Sequence, residues 1–168
     1  MRPLKKQNLT AHMLAYHGFR AKDKSFNAKF ETRLDPSLPK INVVTQDIGR
    51  VILNLVNNAC YAVSEKGKQI ASVDDTAGRE NNYSPTVTVS TKTKGDKIQI
   101  LVTDNGNSIP QKILDKIFQP FFTTKPPGQG TGLGLSLAYD IVKAHGGELT
   151  VKTKEGEGAE FVIRLPFN

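Results

Sequence analysis

The sequence predicts an α/β fold in which one β-sheet is covered by helices on one face. Residues 45–64 repeat apolar side chains at helical spacing, which predicts a long amphipathic helix. Residues 86–93 and 97–104 instead alternate apolar and polar side chains with a period of two, and the Gly95-Asp96 pair between them predicts a hairpin. Because strand pairs alternate with helices along the chain, the apolar helix faces are expected to pack on one side of a sheet.

The composition fits a single domain with its own core. The chain has 168 residues, 38% of them hydrophobic, and contains no apolar run long enough to span a bilayer. Its single cysteine, Cys60, excludes an internal disulfide and fits a reducing compartment. The net charge of +7 comes from basic residues scattered along the sequence, without a dense basic arm. We therefore expect no nucleic-acid partner and no membrane contact within this chain.

The first part of the chain predicts a helix end, a strand, a turn and the long helix. Residues 3–17 have the loose helical pattern of the end of a longer helix, and residues 26–34 alternate as a half-buried strand does. Two prolines within residues 35–40 end that strand. Thr45 suits the N-cap of the long helix. Residues 65–85 are polar and contain glycine, which predicts a long mobile loop with at most a little extra helix at its start.

The second part of the chain predicts two more helices and a closing hairpin. In chain order the elements are a short helix at 111–118, an aperiodic segment at 119–129, a helix at 132–145 and strands at 148–154 and 159–166. Pro110 suits the first position of the short helix, and Gly146 with Gly147 stops the longer one.

Asp104 ends its strand on the apolar face. It shares the phase of Ile100 and Val102, so its carboxylate is costly unless it has partners. One interpretation is a buried carboxylate that accepts a hydrogen bond from an amino group such as that of adenine. The other is an ordinary turn, because Asp-Asn-Gly is common in turns. The residues alone leave both open.

Three glycines, Gly130, Gly132 and Gly134, lead into the 132–145 helix. A glycine-rich turn at a helix N-terminus presents unpaired N–H groups and the positive end of the dipole, which suits phosphate. The spacing is neither the dinucleotide-binding fingerprint nor the P-loop. With Asp104 and the Pro/Gly-rich segment between, these glycines predict a purine nucleotide site with a mobile cover.

Asparagines cluster at the edge of the long helix's apolar face. Asn54 and Asn58 are four residues apart and therefore on one side, with Asn57 beside them. An amide oxygen there suits Mg²⁺ bound to phosphates. A solvated polar face would explain the same pattern.

The segment before the glycines has aromatic and basic residues. For Phe118, Phe121 and Phe122, core packing at the base of a loop is favoured over stacking on a base. Lys125 either meets a phosphate or is solvated. The histidines have no metal-site pattern, and His145 is expected to be a helix-end residue.

In their order, these motifs resemble the catalytic and ATP-binding domain of two-component sensor histidine kinases. That domain belongs to the GHKL ATPase superfamily, shared with gyrase, the ninety-kilodalton heat-shock chaperone and the mismatch-repair ATPase. The resemblance covers about residues 26–167. The N box matches VILNLVNNACYAV (51–63), the G1 box DNGNSI (104–109), the F box IFQPFFTTK (117–125) and the G2 box GTGLGL (130–135).

The resemblance implies a Bergerat-type α/β sandwich, a mixed sheet covered on one face by about three helices. Residues 21–168 would be the ATP-binding domain and residues 1–20 the tail of an upstream helical hairpin. ATP and Mg²⁺ are the implied ligands, with Asn58 binding Mg²⁺ through the phosphates and residues 119–129 as the ATP lid. The implied ATP-binding residues are Asn54, Asn58, Asp104, Gly106, Ile109, Phe121, Thr124, Lys125, Gly130, Thr131, Gly132, Leu133, Gly134 and Leu135.

The resemblance further implies a protein-histidine kinase module that offers the γ-phosphate of ATP to a histidine on a separate dimerisation domain. A response regulator would act downstream, and this part of a membrane-anchored sensor would lie in the cytoplasm. Neither His12 nor His17 has the neighbours of the acceptor histidine. A hydrolytic ATPase is one alternative, but those relatives carry a glutamate where Asn54 stands. A nucleotide-responsive interaction module is the other.

Two positions depart from the family pattern. Ser108 replaces the second glycine of the G1 box, and it would strain or reshape the loop if that position needs a positive φ or a close backbone approach. Replacing Ser108 by glycine would then tighten nucleotide binding. Ala159 follows Gly158 where the family often has a hydroxyl residue, so any hydroxyl contact there is lost.

Overall fold

The structure, a computed structural model, describes residues 11–74 and 82–167. Within these residues it contains three α-helices and five strands. In chain order they are α1 (Ala11–Lys22), β1 (Lys29–Arg33), α2 (Thr45–Asp74), β2 (Thr86–Lys94), β3 (Lys97–Asp104), α3 (Gly134–Ala144), β4 (Glu148–Lys154) and β5 (Gly158–Pro166).

The strands form one mixed sheet in the order β1-β2-β3-β5-β4. β1 runs parallel to β2, and the other three pairings are antiparallel. α2 packs on β2, β3 and β5, α3 packs on β4 and on α2, and α1 packs on α2. The α/β sandwich with a mixed sheet and a three-helix layer is therefore confirmed.

The core lies between this helical layer and one face of the sheet. Ile48, Ile52 and Leu55 of α2 are completely buried, and each such side chain contributes about 1.5–3 kcal/mol of burial free energy. On the sheet, Val89 pairs with Val102, which in turn pairs with Phe161. Because side chains alternate along a strand, this register also directs the last residue of β3 toward the helices.

His145 joins the C-terminus of α3 to the start of α2. Its Nδ1 lies 2.8 Å from the carbonyl oxygen of Ile141, and the N–H of Val44 donates to its Nε2 at 3.2 Å. Both ring nitrogens therefore serve the packing of the two helices, as expected for a helix-end residue.

α2 is longer than the sequence predicts. It continues to Asp74, so the first half of the predicted 65–85 loop is helical; residues 75–81 lie outside the described part. Half-buried Lys66 lies on this extension and donates hydrogen bonds to carbonyl groups of two segments that are distant in the chain. Tertiary contacts thus stabilise a polar stretch that has no apolar period of its own.

The short helix predicted at 111–118 is wrong in type. The structure has a single 3₁₀ turn, Gln111–Ile113, followed by further turns up to position 121. α1 reaches Lys22, past the predicted helix end at residue 17 and past the expected domain boundary at residue 20, whereas residues 3–10 lie outside the described part. None of the described helices is both long and apolar enough to cross a bilayer.

Candidate nucleotide-binding site

A cavity of about 680 Å³ opens between α2, the end of β3 and the N-terminus of α3. Its volume lies within the range of small-molecule sites. Most of the predicted site residues line it. They are Asn54, Asn58, Asp104, Ile109, Thr124, Lys125, Gly130, Thr131, Gly132, Gly134 and Leu135.

Gly106, Phe121 and Leu133 were predicted at the site but do not line this cavity. Gly106 is buried against α2, where a Cβ would lie 2.4 Å from the carbonyl carbon of Ala62. Its role in the structure is therefore the close approach of the loop to the helix. Leu133 is 40% exposed at the N-cap of α3.

The phenylalanine cluster divides into two parts. Phe118 and Phe122 pack against the core, as expected, but Phe121 is 74% exposed. Phe121 also has a φ of 65°, and its backbone touches Gly132, where a Cβ would lie 2.4 Å from the Phe121 carbonyl carbon. Gly132 itself has a φ of 71°, so glycine is required there for both conformation and space.

Asp104 is only 6% exposed and lines the cavity. Its Oδ1 accepts a hydrogen bond from the Gly106 N–H at 2.9 Å, and the Ala159 N–H also donates to the carboxylate. Burial nevertheless raises the pKa of Asp104 to about 6. The residue thus stabilises its own turn, as the turn interpretation expects, and it also presents a buried carboxylate to the cavity.

The asparagines of α2 are half-buried and face the cavity rather than bulk solvent. The Asn54 side-chain amide donates to the carbonyl oxygen of Gly134 at 3.2 Å, which ties α2 to the first residue of α3. The Asn58 Oδ1 accepts a hydrogen bond from the Lys125 ammonium at 3.0 Å. A fully solvated polar face does not explain these contacts.

Lys125 contacts α2 and is half-buried, so it is not fully solvated. Besides its contact with Asn58, its ammonium lies 4.6 Å from the centre of the Tyr61 ring. Burial lowers the pKa of Lys125, and the positive charge of Lys22 lowers it further. Among the ion pairs of the described residues, none involves Lys125.

The oxygen atoms that line the cavity suit a metal ion whose other ligands are phosphates and water. In the described part of the chain, no group of three or more His, Cys, Asp or Glu side chains could hold a metal. The Asn58 Oδ1 already faces a cation, the Lys125 ammonium. Mg²⁺ commonly takes one or two protein oxygens and completes its shell with phosphates and water, so Asn58 fits that ion.

The N-terminus of α3 faces the same cavity. Its N-cap, Leu133, makes no side-chain capping hydrogen bond, and its first turn contains no acidic residue. The free N–H groups and the positive end of the dipole suit an anion. Gly130, Thr131 and Gly132 form the approach to this terminus.

A contact cluster that the motifs did not predict holds the loop after β3. The Lys66 ammonium donates to the carbonyl oxygens of Asn105 at 3.1 Å and Gly156 at 2.9 Å. The Ser108 Oγ accepts from the Gly156 N–H at 3.3 Å. No sequence pattern signals this cluster, because the turn between β4 and β5 lies far along the chain.

The strain expected at Ser108 is absent. Among the described residues other than glycine, only Phe121 has a positive φ. Ser108 therefore has a backbone conformation open to any residue, and its hydroxyl is used in the contact with Gly156. The expectation that this position needs a positive φ is therefore wrong, whereas close approach of a bound nucleotide to Ser108 stays a prediction.

Comparisons with known proteins agree with this geometry. The family described as histidine kinase-, DNA gyrase B-, and HSP90-like ATPase matches residues 44–168. The sensor histidine kinase ZraS of Escherichia coli (strain K12) is 36% identical over 132 residues, 79% of this chain and 24% of ZraS. The signal transduction histidine-protein kinase AtoS of the same strain is 36% identical over 140 residues, 83% of this chain and 20% of AtoS.

A solved structure of a histidine kinase domain has a similar fold. The catalytic domain of the histidine kinase ThkA superimposes with a TM-score of 0.68 at 28% sequence identity, covering 94% of this chain and 90% of that domain. The present chain therefore matches most of the length of that catalytic domain. It spans about a quarter or less of the length of the curated relatives ZraS and AtoS.

Proposed function

The chain belongs to the histidine kinase-, DNA gyrase B- and HSP90-like ATPase family, and from that premise we propose that it presents Mg-ATP to a histidine on a separate domain of a sensor kinase. The observation that supports this most is the composition of one cavity. A buried carboxylate, a half-buried amide oxygen and an uncapped helix N-terminus all line it. The carboxylate can accept a hydrogen bond from an amino group, the amide oxygen can bind a metal ion, and the helix N-terminus can bind phosphates.

Each end of the nucleotide has its own residues in this proposal. Asp104 accepts from the adenine amino group, and Ile109 forms a wall of the base pocket. Asn58 holds Mg²⁺, which when bound neutralises charge on the phosphates. Thr124, Lys125 and the segment 130–135 hold the phosphates through backbone N–H groups and one positive charge.

The proposed reaction is phosphoryl transfer. A histidine nitrogen forms a bond to the γ-phosphorus, the bond from that phosphorus to the bridging oxygen breaks, and ADP leaves with the electron pair. The residues of this chain supply position and charge neutralisation, and the partner domain supplies the nucleophile.

The cavity favours transfer over hydrolysis. Among the lining residues that the structure describes, the only carboxylate is Asp104, which the proposal places at the base end. Asn54 stands where hydrolytic relatives carry a glutamate, and its amide donates to Gly134. An amide cannot take a proton from water, so a general base for hydrolysis is missing from the lining.

An exposed apolar group marks where the acceptor domain would dock. Phe121 is 74% exposed, and Leu133 and Leu137, one helical turn apart, are 40% and 45% exposed. The Phe121 backbone touches Gly132, a chain neighbour of Leu133 that lines the cavity at its proposed phosphate end. The proposed occupant is the upstream histidine-bearing domain, which must reach that end; the response regulator would act on that domain. A cytoplasmic location completes the proposal, because ATP and response regulators are found there.

Nucleotide titration of an Asn58→Ala variant tests the site. Loss of the metal-binding oxygen should weaken Mg-ATP binding by roughly tenfold, about 1.4 kcal/mol. Binding of ATP in the presence of a chelator should change much less, because no metal is involved. Circular dichroism checks that the fold is retained. Equal Mg-ATP affinities for the variant and the original chain would refute the assignment of Asn58.

A further inference from the structure

The contact between Lys125 and Asn58 joins the lid, residues 119–129, to helix α2. The ammonium lies 3.0 Å from the Asn58 Oδ1 and over the ring of Tyr61. Gly130, just past the lid, lies against the aliphatic stem of the same lysine. The lysine thus has contacts at its stem, near Gly130, and at its ammonium, on the helix.

The partners of this ammonium leave its charge uncompensated. Asn58 and Tyr61 are neutral, and no carboxylate within the described residues pairs with Lys125. An amide oxygen and an aromatic face suit a cation as such, but they do not neutralise it. The Asn58 Oδ1 is therefore a cation-accepting position that the chain fills with its own side chain.

Two cations are unfavourable at this oxygen. A divalent ion at Asn58 would lie within a few ångström of the ammonium, inside a partly desolvated cavity where like charges repel strongly. Once the ion has taken the Asn58 oxygen, the displaced ammonium can pair with the accompanying phosphates. Arrival of the metal and release of the lysine are therefore coupled.

We propose that Lys125 is a latch, which holds the lid on α2 at the cation position of Asn58 until a nucleotide-bound divalent ion displaces it. The release step rests on the proposed function, but the latch itself is a property of the nucleotide-free chain. Its consequence is that the lid responds to the metal and not to the nucleotide alone.

The side-chain amide signal of Asn58 in the NMR spectrum of the 168-residue chain reports the partner of its oxygen. Without ligand, Lys125→Met should shift that signal and raise amide hydrogen exchange in residues 123–129 by roughly threefold or more. Lys116→Met, which alters an exposed lysine earlier in the same region, is the matched control and should do neither. The double variant Asn58→Leu/Lys125→Met should exchange no faster than Lys125→Met, since both changes break one contact.

Addition of ADP then tests the release. With ADP and a chelator, the Asn58 signals of the original chain and of Lys125→Met should still differ. With Mg-ADP they should converge, because the metal has replaced the ammonium in the original chain and fills the free oxygen in the variant. Coincident signals without ligand, or additive effects in the double variant, would overturn the latch. A difference that persists under saturating Mg-ADP would overturn the release. A complete lack of response to Mg-ADP would count against the proposed function, whereas the nucleotide-free comparison would still decide the latch.

Discussion

Burial of Asp104 disfavours the ionised form of its carboxylate. Its pKa is raised to about 6 from an ordinary value of 3.8, chiefly by desolvation, although two backbone N–H groups favour the ionised form. In the unfolded chain the group ionises near its ordinary value. Folding therefore favours protonated Asp104, and its contribution to stability is lost as pH rises from about 4 to about 6. A ligand that donates to the ionised carboxylate reverses this preference.

The affinity for nucleotide should consequently fall when Asp104 takes up a proton. Between pH 7 and pH 5 the dissociation constant of ADP should rise by roughly tenfold, since protonation removes an acceptor from the base end. Asp104→Asn should bind more weakly at pH 7 and vary less with pH over that range. Calorimetry on both proteins gives the two profiles. Parallel profiles would show that another group causes the pH dependence.

Ser108→Gly should bring no gain in nucleotide affinity. The substitution removes the acceptor of the Gly156 N–H and adds backbone freedom to a loop that lines the cavity. We expect an affinity that is unchanged or up to about tenfold weaker, equivalent to about 1.4 kcal/mol. Ser108→Ala separates the hydroxyl from the backbone effect. Tighter binding by the glycine variant would mean that serine does crowd the bound nucleotide.

One lysine of helix α2 joins segments that are far apart in the chain. Lys66 lies in the part of the helix beyond the predicted end and donates to carbonyl oxygens in the loop after β3 and in the turn before β5. Its ammonium also lies 5.0 Å from the centre of the Tyr83 ring. This part of the helix thereby fixes the loop after β3, which lines the cavity.

Lys66→Met should therefore destabilise the chain by roughly 1–3 kcal/mol, because two carbonyl groups lose a charged donor and the side chain is partly exposed. Lys68→Met is the matched control. Its ion pair with Glu65 is a surface pair, and its loss should cost about 0–1 kcal/mol. Urea unfolding measures both values. Equal destabilisation by the two substitutions would deny Lys66 a special structural role.

The elements predicted correctly are those whose pattern is local and repeated. The inward phase of Asp104 followed from the period of β3, and the glycine-rich entry to α3 followed from its helical pattern. The end of α2 could not be predicted, because a polar stretch with a glycine has no apolar period and is held by contacts far along the chain. The exposure of Phe121 also depended on tertiary structure, since an aromatic cluster alone does not show which ring faces solvent.

In the proposed function, the described part of the molecule supplies a nucleotide cavity but no group that would accept the transferred phosphate. The acceptor pattern is missing around His12 and His17. Among the described residues that line the cavity, the single carboxylate is proposed to bind the base. The proposed reaction therefore takes its nucleophile, and any base that assists it, from another domain. This distribution of groups separates the proposed kinase module from a hydrolytic ATPase of the same family.

Incubation of the chain with ATP labelled in its γ-phosphate shows whether the phosphate acceptor lies on another domain. The isolated chain should bind the nucleotide but gain no acid-labile label and release phosphate only at a negligible rate. Addition of a fragment that carries the acceptor histidine should produce label on that fragment, and Asn58→Ala should reduce it. Rapid phosphate release by the isolated chain, or acid-labile label on it, would contradict transfer to a separate domain and favour a hydrolytic or self-modifying enzyme.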